Sequence, residues 1–411
     1  MAIANHPTHP EVDLLDGRWY ANEPHETWTW MRHNAPVYYD EKCDTWAIMR
    51  YKDVLAIEKD DETFSSYRSP RPHGDPLPMM ISMDDPEHLR RRMLVNRGFT
   101  PKRVRDKEPE IRAICNEIID KVCEKGECDF VWDIAAPLPL ILIGDMLGFP
   151  RESYEDLLHW SDDMIRGTTV SDPAATEKAM MAGIAFREYQ LKVIADRRSR
   201  EPQKDLVSVL CHAEMNGEKL DDESLIQETL LILIGGDETT RHVITGGMLA
   251  LMSHPDEREK LMANRHDDTY VVRAVEELLR WVTPIKNMSR SATKDVEMNG
   301  QKIEEGEQIV LMYPSANRDE EIYEDPFVFD IERETNNHLA FGFGTHFCLG
   351  ASLARLELKV MFEQLMERLP DIQLKEGAEL PFRASNFIVG PEAMPVTFTP
   401  TATAGATPAG G

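Results

Sequence analysis

From Asp221 to His254 the chain reads DDESLIQETLLILIGGDETTRHVITGGMLALMSH, one long helical pattern whose two leading aspartates can cap it. At 1.5 Å per residue, a helix of some 30 residues is on the order of 45 Å long, enough to cross a whole domain. Leu230 to Ile234 are apolar on every face, so this stretch has to be buried. Immediately after it stand Gly235, Gly236, Asp237, Glu238, Thr239 and Thr240. Glycine inside a helix costs about 1 kcal/mol relative to alanine, so two in succession imply that something approaches the backbone there. The Thr239 hydroxyl can bond back to the Gly235 carbonyl four residues earlier. Two readings follow: a groove for a small ligand or water, or a kink with a capped carbonyl.

The rest of the chain fits a thick helical surround. Apolar residues recur at three- and four-residue spacing over 103–126, 175–197, 267–281 and 351–368. Strand-like pieces are few: Pro36 to Tyr39, Thr45 to Arg50, Asp295 to Met298 before an Asn299-Gly300 turn, Gln308 to Met312, and Phe387 with Val396 to Phe398. The expected fold is mainly α with small β-sheets at one side, a single large domain over 12–400. Residues 1–11 and 401–411 are small, polar and rich in Pro or Gly, and are expected to be disordered tails.

Lys and Arg number 46 against 73 Asp and Glu, a formal charge of −27, the wrong sign for a general nucleic-acid binder. One segment departs from this: RRRMLVNRGFTPKRVRDK, residues 90–107, carries eight basic side chains and one acidic. It is either a solvated helix face or a docking surface for an acidic partner. No secretory leader is visible and no run approaches the roughly 18 apolar residues of a membrane span, so the chain is expected to be cytosolic and complete. The six cysteines are thinly scattered, which argues against disulfides.

A second motif is FGFGTHFCLG, 341–350, running into the helical ASLARLELKVMFEQLMERL. Cys348 sits where a glycine-rich loop enters a helix, and backbone amides with the positive helix end favour a thiolate there. Zinc would need more ligands than His346 and Cys348, so a single thiolate points to haem iron. A third motif is Glu277-Leu278-Leu279-Arg280, where positions three apart can pair. Alone it reads as a surface salt bridge; between the two other motifs, with Arg333 in DPFVFDIER, it reads as a buried three-member network.

Together these segments resemble the cytochromes P450 of the soluble bacterial type, over residues 12 to 400. The resemblance implies haem b with Cys348 as its axial thiolate, Phe341 packed near the ring, Gly235 beside it, and Glu238 with Thr239 as the acid–alcohol pair. Glu277, Arg280 and Arg333 become the structural network. His88 and Arg92 in DDPEHLRRR, Arg290 in NMSRSA, and His346 become the propionate partners. The implied reaction is monooxygenation: O₂ is split and one atom enters a C–H bond, with Thr239 holding water and oxygen and Glu238 relaying protons. The electrons would come from NAD(P)H through an acidic ferredoxin and its reductase, docking at 90–107 with Arg355 and Lys359.

The stretches LPMMISMDDPEHLRRR, CDFVWDIAAPLPLILIGDMLG and LRWVTPIKNMSR further resemble the bacterial group that hydroxylates the terminal methyl of the cholesterol or cholest-4-en-3-one side chain. On that likeness Met79, Leu231, Ile234, Met288 and Phe387 would line an apolar substrate pocket. Other readings are a macrolide or terpenoid hydroxylase, or a haem-thiolate binder or sensor without turnover. The intact Glu238-Thr239 pair speaks against the last. It also speaks against a peroxide-driven enzyme. The tract YRSPRPHGDPLP, 67–78, follows no familiar pattern.

Overall fold

The computed structural model of the chain describes residues 6–96, 98–167, 173–215, 218–334 and 336–404. Its axis is the helix Asp222–Ser253, capped by Asp221, whose carboxylate accepts from the Ser224 amide at 2.7 Å. Of the stretch expected to be buried, Ile232 and Leu233 are buried, whereas Leu230, Leu231 and Ile234 are only half-buried. The helices Pro137–Leu147, Asp268–Val282 and Ala351–Arg368 pack on it directly, and Glu108–Asp120 packs in turn on Ala351–Arg368. The central helix therefore lies inside the largest apolar core, as its all-round hydrophobicity requires.

The expected bounds 222–253 and 351–368 coincide with the observed helices, while 175–197 becomes Pro173–Arg198 and 267–281 becomes Asp268–Val282. The expected helix 103–126 is instead two, Pro101–Arg105 and Glu108–Asp120. Pro109 explains the break: without an N–H, and with a ring that clashes with the preceding turn, it fits only the first turn of a new helix.

One sheet has five strands in the order Val37–Asp40, Thr45–Ile48, Gln308–Met312, Asn287–Ala292, Phe64–Ser65. Gln308–Met312 pairs parallel to Thr45–Ile48 and antiparallel to Asn287–Ala292, with Ile309 opposite Arg290 and Leu311 opposite Met288. Because side chains alternate along a strand, Met288 and Arg290 share one face. The strand Val296–Met298 turns back through Asn299 and Gly300, both at positive φ, into Gln301–Ile303. Near the end Pro395–Thr397 forms a strand, but Phe387 lies outside it; its neighbour Ile388 makes only an isolated bridge with Ile285.

Within the expected N-terminal tail, residues 1–5 lie outside the described residues, whereas His6 accepts from the Tyr39 amide at 2.7 Å and the His9 amide donates to the Tyr38 hydroxyl at 3.2 Å. Of the C-terminal tail, 405–411 lie outside the described residues. The stretch Phe130–Leu147 does have the length and apolarity of a membrane span, contrary to expectation, but 67% of it is buried within the fold. All six cysteines are free.

Candidate active site

The loop before Ala351–Arg368 is shaped by its glycines. Gly342 and Gly344 have φ of +64° and +68°, and a Cβ on Gly344 would stand 2.0 Å from the Glu58 carbonyl oxygen. Both features demand glycine. The loop closes with the Cys348 amide donating to the Phe341 carbonyl at 2.9 Å. Burial pushes the Cys348 thiol up, while the amides of Gly350 and Ala351 and the charges of Arg92 and Arg355 oppose it. The amide contribution expected from the sequence is thus present, but burial outweighs it in the protein alone. A cation in the adjoining space is needed to tip the sulfur to thiolate.

That space is a cavity with about 1470 Å³ between its walls, mouth included, onto which Cys348, Phe341, Gly235 and Thr239 all face. A Cβ on Gly235 would meet nothing within 4 Å, so the missing side chain leaves the helix backbone open to the cavity. Gly236 has a different purpose: its Cβ would stand 2.9 Å from Ile143, so it allows the close approach of Pro137–Leu147. The Thr239 Oγ1 donates to the Gly235 carbonyl at 2.9 Å, and the helix runs unbroken through the motif. The capped carbonyl of the second reading is thus present beside the open backbone of the first.

His88, Arg92, Arg290 and His346 also line this cavity. The His88 and His346 rings lie 4.2 Å apart, and His346 is held down to about 2, first by burial and then by Arg290, His88 and Arg92. Arg290 has one acidic contact, Glu58 at 3.1 Å, whose other oxygen accepts from the Tyr313 hydroxyl at 2.5 Å. Arg92 donates to the Thr345 carbonyl at 3.3 Å and to the Phe347 carbonyl, so it braces the cysteine loop.

Thus one sulfur donor, an open glycine backbone, two arginines and two uncharged imidazoles meet in one large cavity. Among the described residues no cluster of three or more His, Cys, Asp or Glu could hold a metal ion. This donor set fits a flat, dianionic metal macrocycle such as haem, with one protein ligand and carboxylates to be neutralised.

Glu238 is elsewhere. It is fully buried and does not face the cavity; Arg383 reaches it at 3.0 Å and Arg241 also pairs with it. Asp162 joins the same cluster through Arg241 at 3.1 Å and through Arg383. These cations hold the Glu238 carboxyl well below its usual range despite its burial. Two neighbouring acids behave oppositely. Burial pushes Asp237 to about 7 and Glu357, on the cavity wall, to about 8; each has one oxygen with no hydrogen-bond partner.

The Glu277 network is buried as the second reading required. Arg280 meets both Glu277 oxygens at 2.7 Å with neither side chain exposed, and Arg333 Nε lies 3.3 Å from Oε2. The Asp330 amide and the Asn336 side chain complete the coordination of Glu277.

Of the five expected substrate residues, Leu231 and Met288 line the cavity, while Met79, Ile234 and Phe387 do not. Met80 and Ile81 take the first position, the turn of the short Met80–Ser82 helix aiming them inward. Ile232 faces the cavity in place of Ile234, which is two residues and so some 200° further round the helix. Phe387 is covered by the Arg71 guanidinium, 4.3 Å from its ring.

The basic segment is also reduced. Arg91 is buried against Glu228 and Ser224, Arg355 is paired with Glu276, and Lys359 with Glu108, Asp268 and Glu363. Arg97 lies outside the described residues. Lys102, Arg103 and Arg105 remain exposed, and so do Leu89, Met93, Phe343 and Phe347.

Sequence reasoning missed Arg383, Glu58, Tyr313 and Glu357. For Arg383, 145 residues from Glu238, no local signal exists. Glu357 had one: an acid on an otherwise apolar helical face, nine residues after Cys348.

Residues 161–392 match the family model described as "Cytochrome P450". The chain is 49% identical over 397 residues to a steroid C26-monooxygenase of Mycolicibacterium smegmatis, covering 96% of this chain and 98% of that protein. Among solved structures, Mycobacterium marinum cytochrome P450 CYP268A2 in complex with pseudoionone is 31% identical with a TM-score of 0.89, covering 97% of this chain and 100% of that one. CYP109E1 from Bacillus megaterium in complex with testosterone is 34% identical with a TM-score of 0.85, covering 93% and 99%.

Proposed function

The chain belongs to the cytochrome P450 family, and from that premise we propose that it is a monooxygenase placing one atom of O₂ on the terminal side-chain methyl of a sterol such as cholest-4-en-3-one. The observation that carries the reaction type is Cys348 and the Gly235–Thr239 turn on the walls of one cavity. The sterol assignment is supported by the likeness to steroid C26-monooxygenases and by the apolar wall of Met80, Ile81, Leu231 and Met288.

Haem b would be held by Cys348, with Arg290, His346, His88 and Arg92 toward its propionates and Phe341 beside the sulfur. When bound, it supplies activation of O₂ by a thiolate-ligated iron. Arg355, 4.6 Å from the Phe341 ring and fastened by Glu276, keeps that ring in place. Gly235 keeps the backbone clear. Thr239 presents Oγ1 to the cavity, its proton parked on the Gly235 carbonyl and free to turn inward. Glu238 holds negative charge behind it, and it would pass on a proton taken up from solvent only once its contacts with Arg241 and Arg383 loosen.

Electrons from NAD(P)H would arrive through a ferredoxin and its reductase. The docking face we assign is Lys102, Arg103 and Arg105 with Leu89, Met93, Phe343 and Phe347, exposed cations and apolar groups suited to an acidic partner. We place the enzyme in the cytoplasm, where such partners reside.

The test is titration with cholest-4-en-3-one, followed by turnover with a surrogate ferredoxin and reductase. A saturable shift of the haem Soret band and a terminally hydroxylated product are expected. A shift with macrolides or terpenoids but none with sterols would overturn the substrate reading.

A further inference from the structure

A second cavity, with about 690 Å³ between its walls, mouth included, shares no wall residue with the first. It lies where the central helix, at His242 and Gly246, meets the end of Asp268–Val282 and the segment Phe382–Pro391. Its walls hold two cations, Lys286 and Arg318, only 2% and 3% exposed. Neither forms an ion pair with a described residue.

Among the described residues their side chains hydrogen-bond only to carbonyl groups, and the Arg318 guanidinium also lies 4.4 Å from the Trp281 ring. Lys286 Nζ donates to Val282 and Thr283 at 3.2 and 3.1 Å, which leaves one of its three N–H groups over. Arg318 donates to Arg280 and Trp281, both at 2.9 Å, and its Nε is buried with no partner. His25 Nδ1 and both ring nitrogens of His242 are likewise buried without hydrogen bonds. Burial holds Lys286 down to about 8 and Arg318 to about 9. Glu23 is the one acid on the wall, and it is exposed. Of the buried acids behind the wall, Glu277 is already shared between Arg280 and Arg333, and Glu238, 3.7 Å from His242 Nε2, between Arg241 and Arg383. Two buried positive charges whose one acid on the wall is the exposed Glu23 are costly unless an anion joins them.

We propose that this cavity is a second ligand site, taking a small carboxylate with an apolar body. A carboxylate has two oxygens to accept the spare Lys286 N–H and the unpartnered Arg318 Nε. Phe327, Phe382, Leu249 and Val389 give the body an apolar wall. A phosphate dianion would bring more oxygens than the free donors can satisfy and would leave that wall bare.

The test uses the haem-loaded enzyme with its iron ligated by an azole, so that the first cavity is filled, and 4-fluorobenzoate as probe, read by fluorine NMR. Saturable line broadening is expected. Lys286→Met, which keeps the stem and removes the charge, is expected to weaken binding by about tenfold or more. Glu23→Gln, a change at an exposed position that leaves folding intact, is expected to tighten it by removing a like charge. No saturable binding to the azole-ligated enzyme, unchanged affinity in Lys286→Met, or unchanged or weaker affinity in Glu23→Gln would each overturn the proposal.

Discussion

Glu238 and Thr239 are consecutive in the chain yet serve two different compartments: Thr239 faces the large cavity, while Glu238 is sealed in an ionic cluster with Arg241, Arg383 and Asp162. The helical rotation of about 100° between successive residues makes this separation possible. Glu238 is held there as a carboxylate, so its charge stands behind the wall on which Thr239 opens.

Replacing Thr239 with Ala removes the hydroxyl that bonds the Gly235 carbonyl, leaves that of Thr240 on the same wall, and keeps the packing nearly intact. The variant is expected to bind haem and consume O₂ while the product formed per O₂ falls by about tenfold or more. Peroxide release measured beside product formation reads the difference, and unchanged coupling would contradict the assigned role.

Arg383→Leu strips one cation from Glu238 and Asp162. Breaking a buried pair by removing one partner costs about 3–5 kcal/mol, so a lower melting temperature is expected. Product yield per electron should fall as well. A Lys at 383 should restore part of both, since the charge returns without the planar fork.

Glu277→Ala leaves Arg280, fully enclosed, without its carboxylate. Destabilisation of about 3–5 kcal/mol is expected, with poor haem retention, because the Arg280 donors also hold the carbonyls of Asn317 and Pro326. Thermal unfolding followed at the Soret band measures both.

Glu357 carries a pH signature. Its carboxyl is pushed from 4.5 to about 8 in the folded chain, so between those values the native state holds a proton that the unfolded state has lost. Its contribution to stability is therefore complete below about pH 4.5 and falls away as pH rises toward about 8. Glu357→Gln should gain melting temperature relative to the parent across that interval. A constant difference between the two proteins would show that the carboxyl titrates normally.

Charge reversal of Lys102, Arg103 and Arg105 together should slow reduction by an acidic ferredoxin, most at low salt, while leaving the sterol-induced Soret shift unchanged. Stopped-flow reduction and equilibrium titration separate these effects. An equal loss in both would place the docking face elsewhere.

Much of this architecture was legible in the order of residues. The helix Asp222–Ser253 follows from local period and an aspartate cap, and the glycine loop around Cys348 from the positive φ its backbone needs. Cys348, Thr239 and the Glu277–Arg280 pair emerged for the same reason, each motif being short enough for its spacing to state its geometry, whereas Arg290 came only from the resemblance to the family. What only the packed chain decided concerns meetings between distant segments. Arg383 joins Glu238, Met80 and Ile81 replace Met79, Lys359 is neutralised by Glu108 and Glu363, and Lys286 is left beside Arg318 without an acid. Helical period and capping act over a few residues, whereas a side chain's partner and its charge balance depend on which surfaces come together when the core closes.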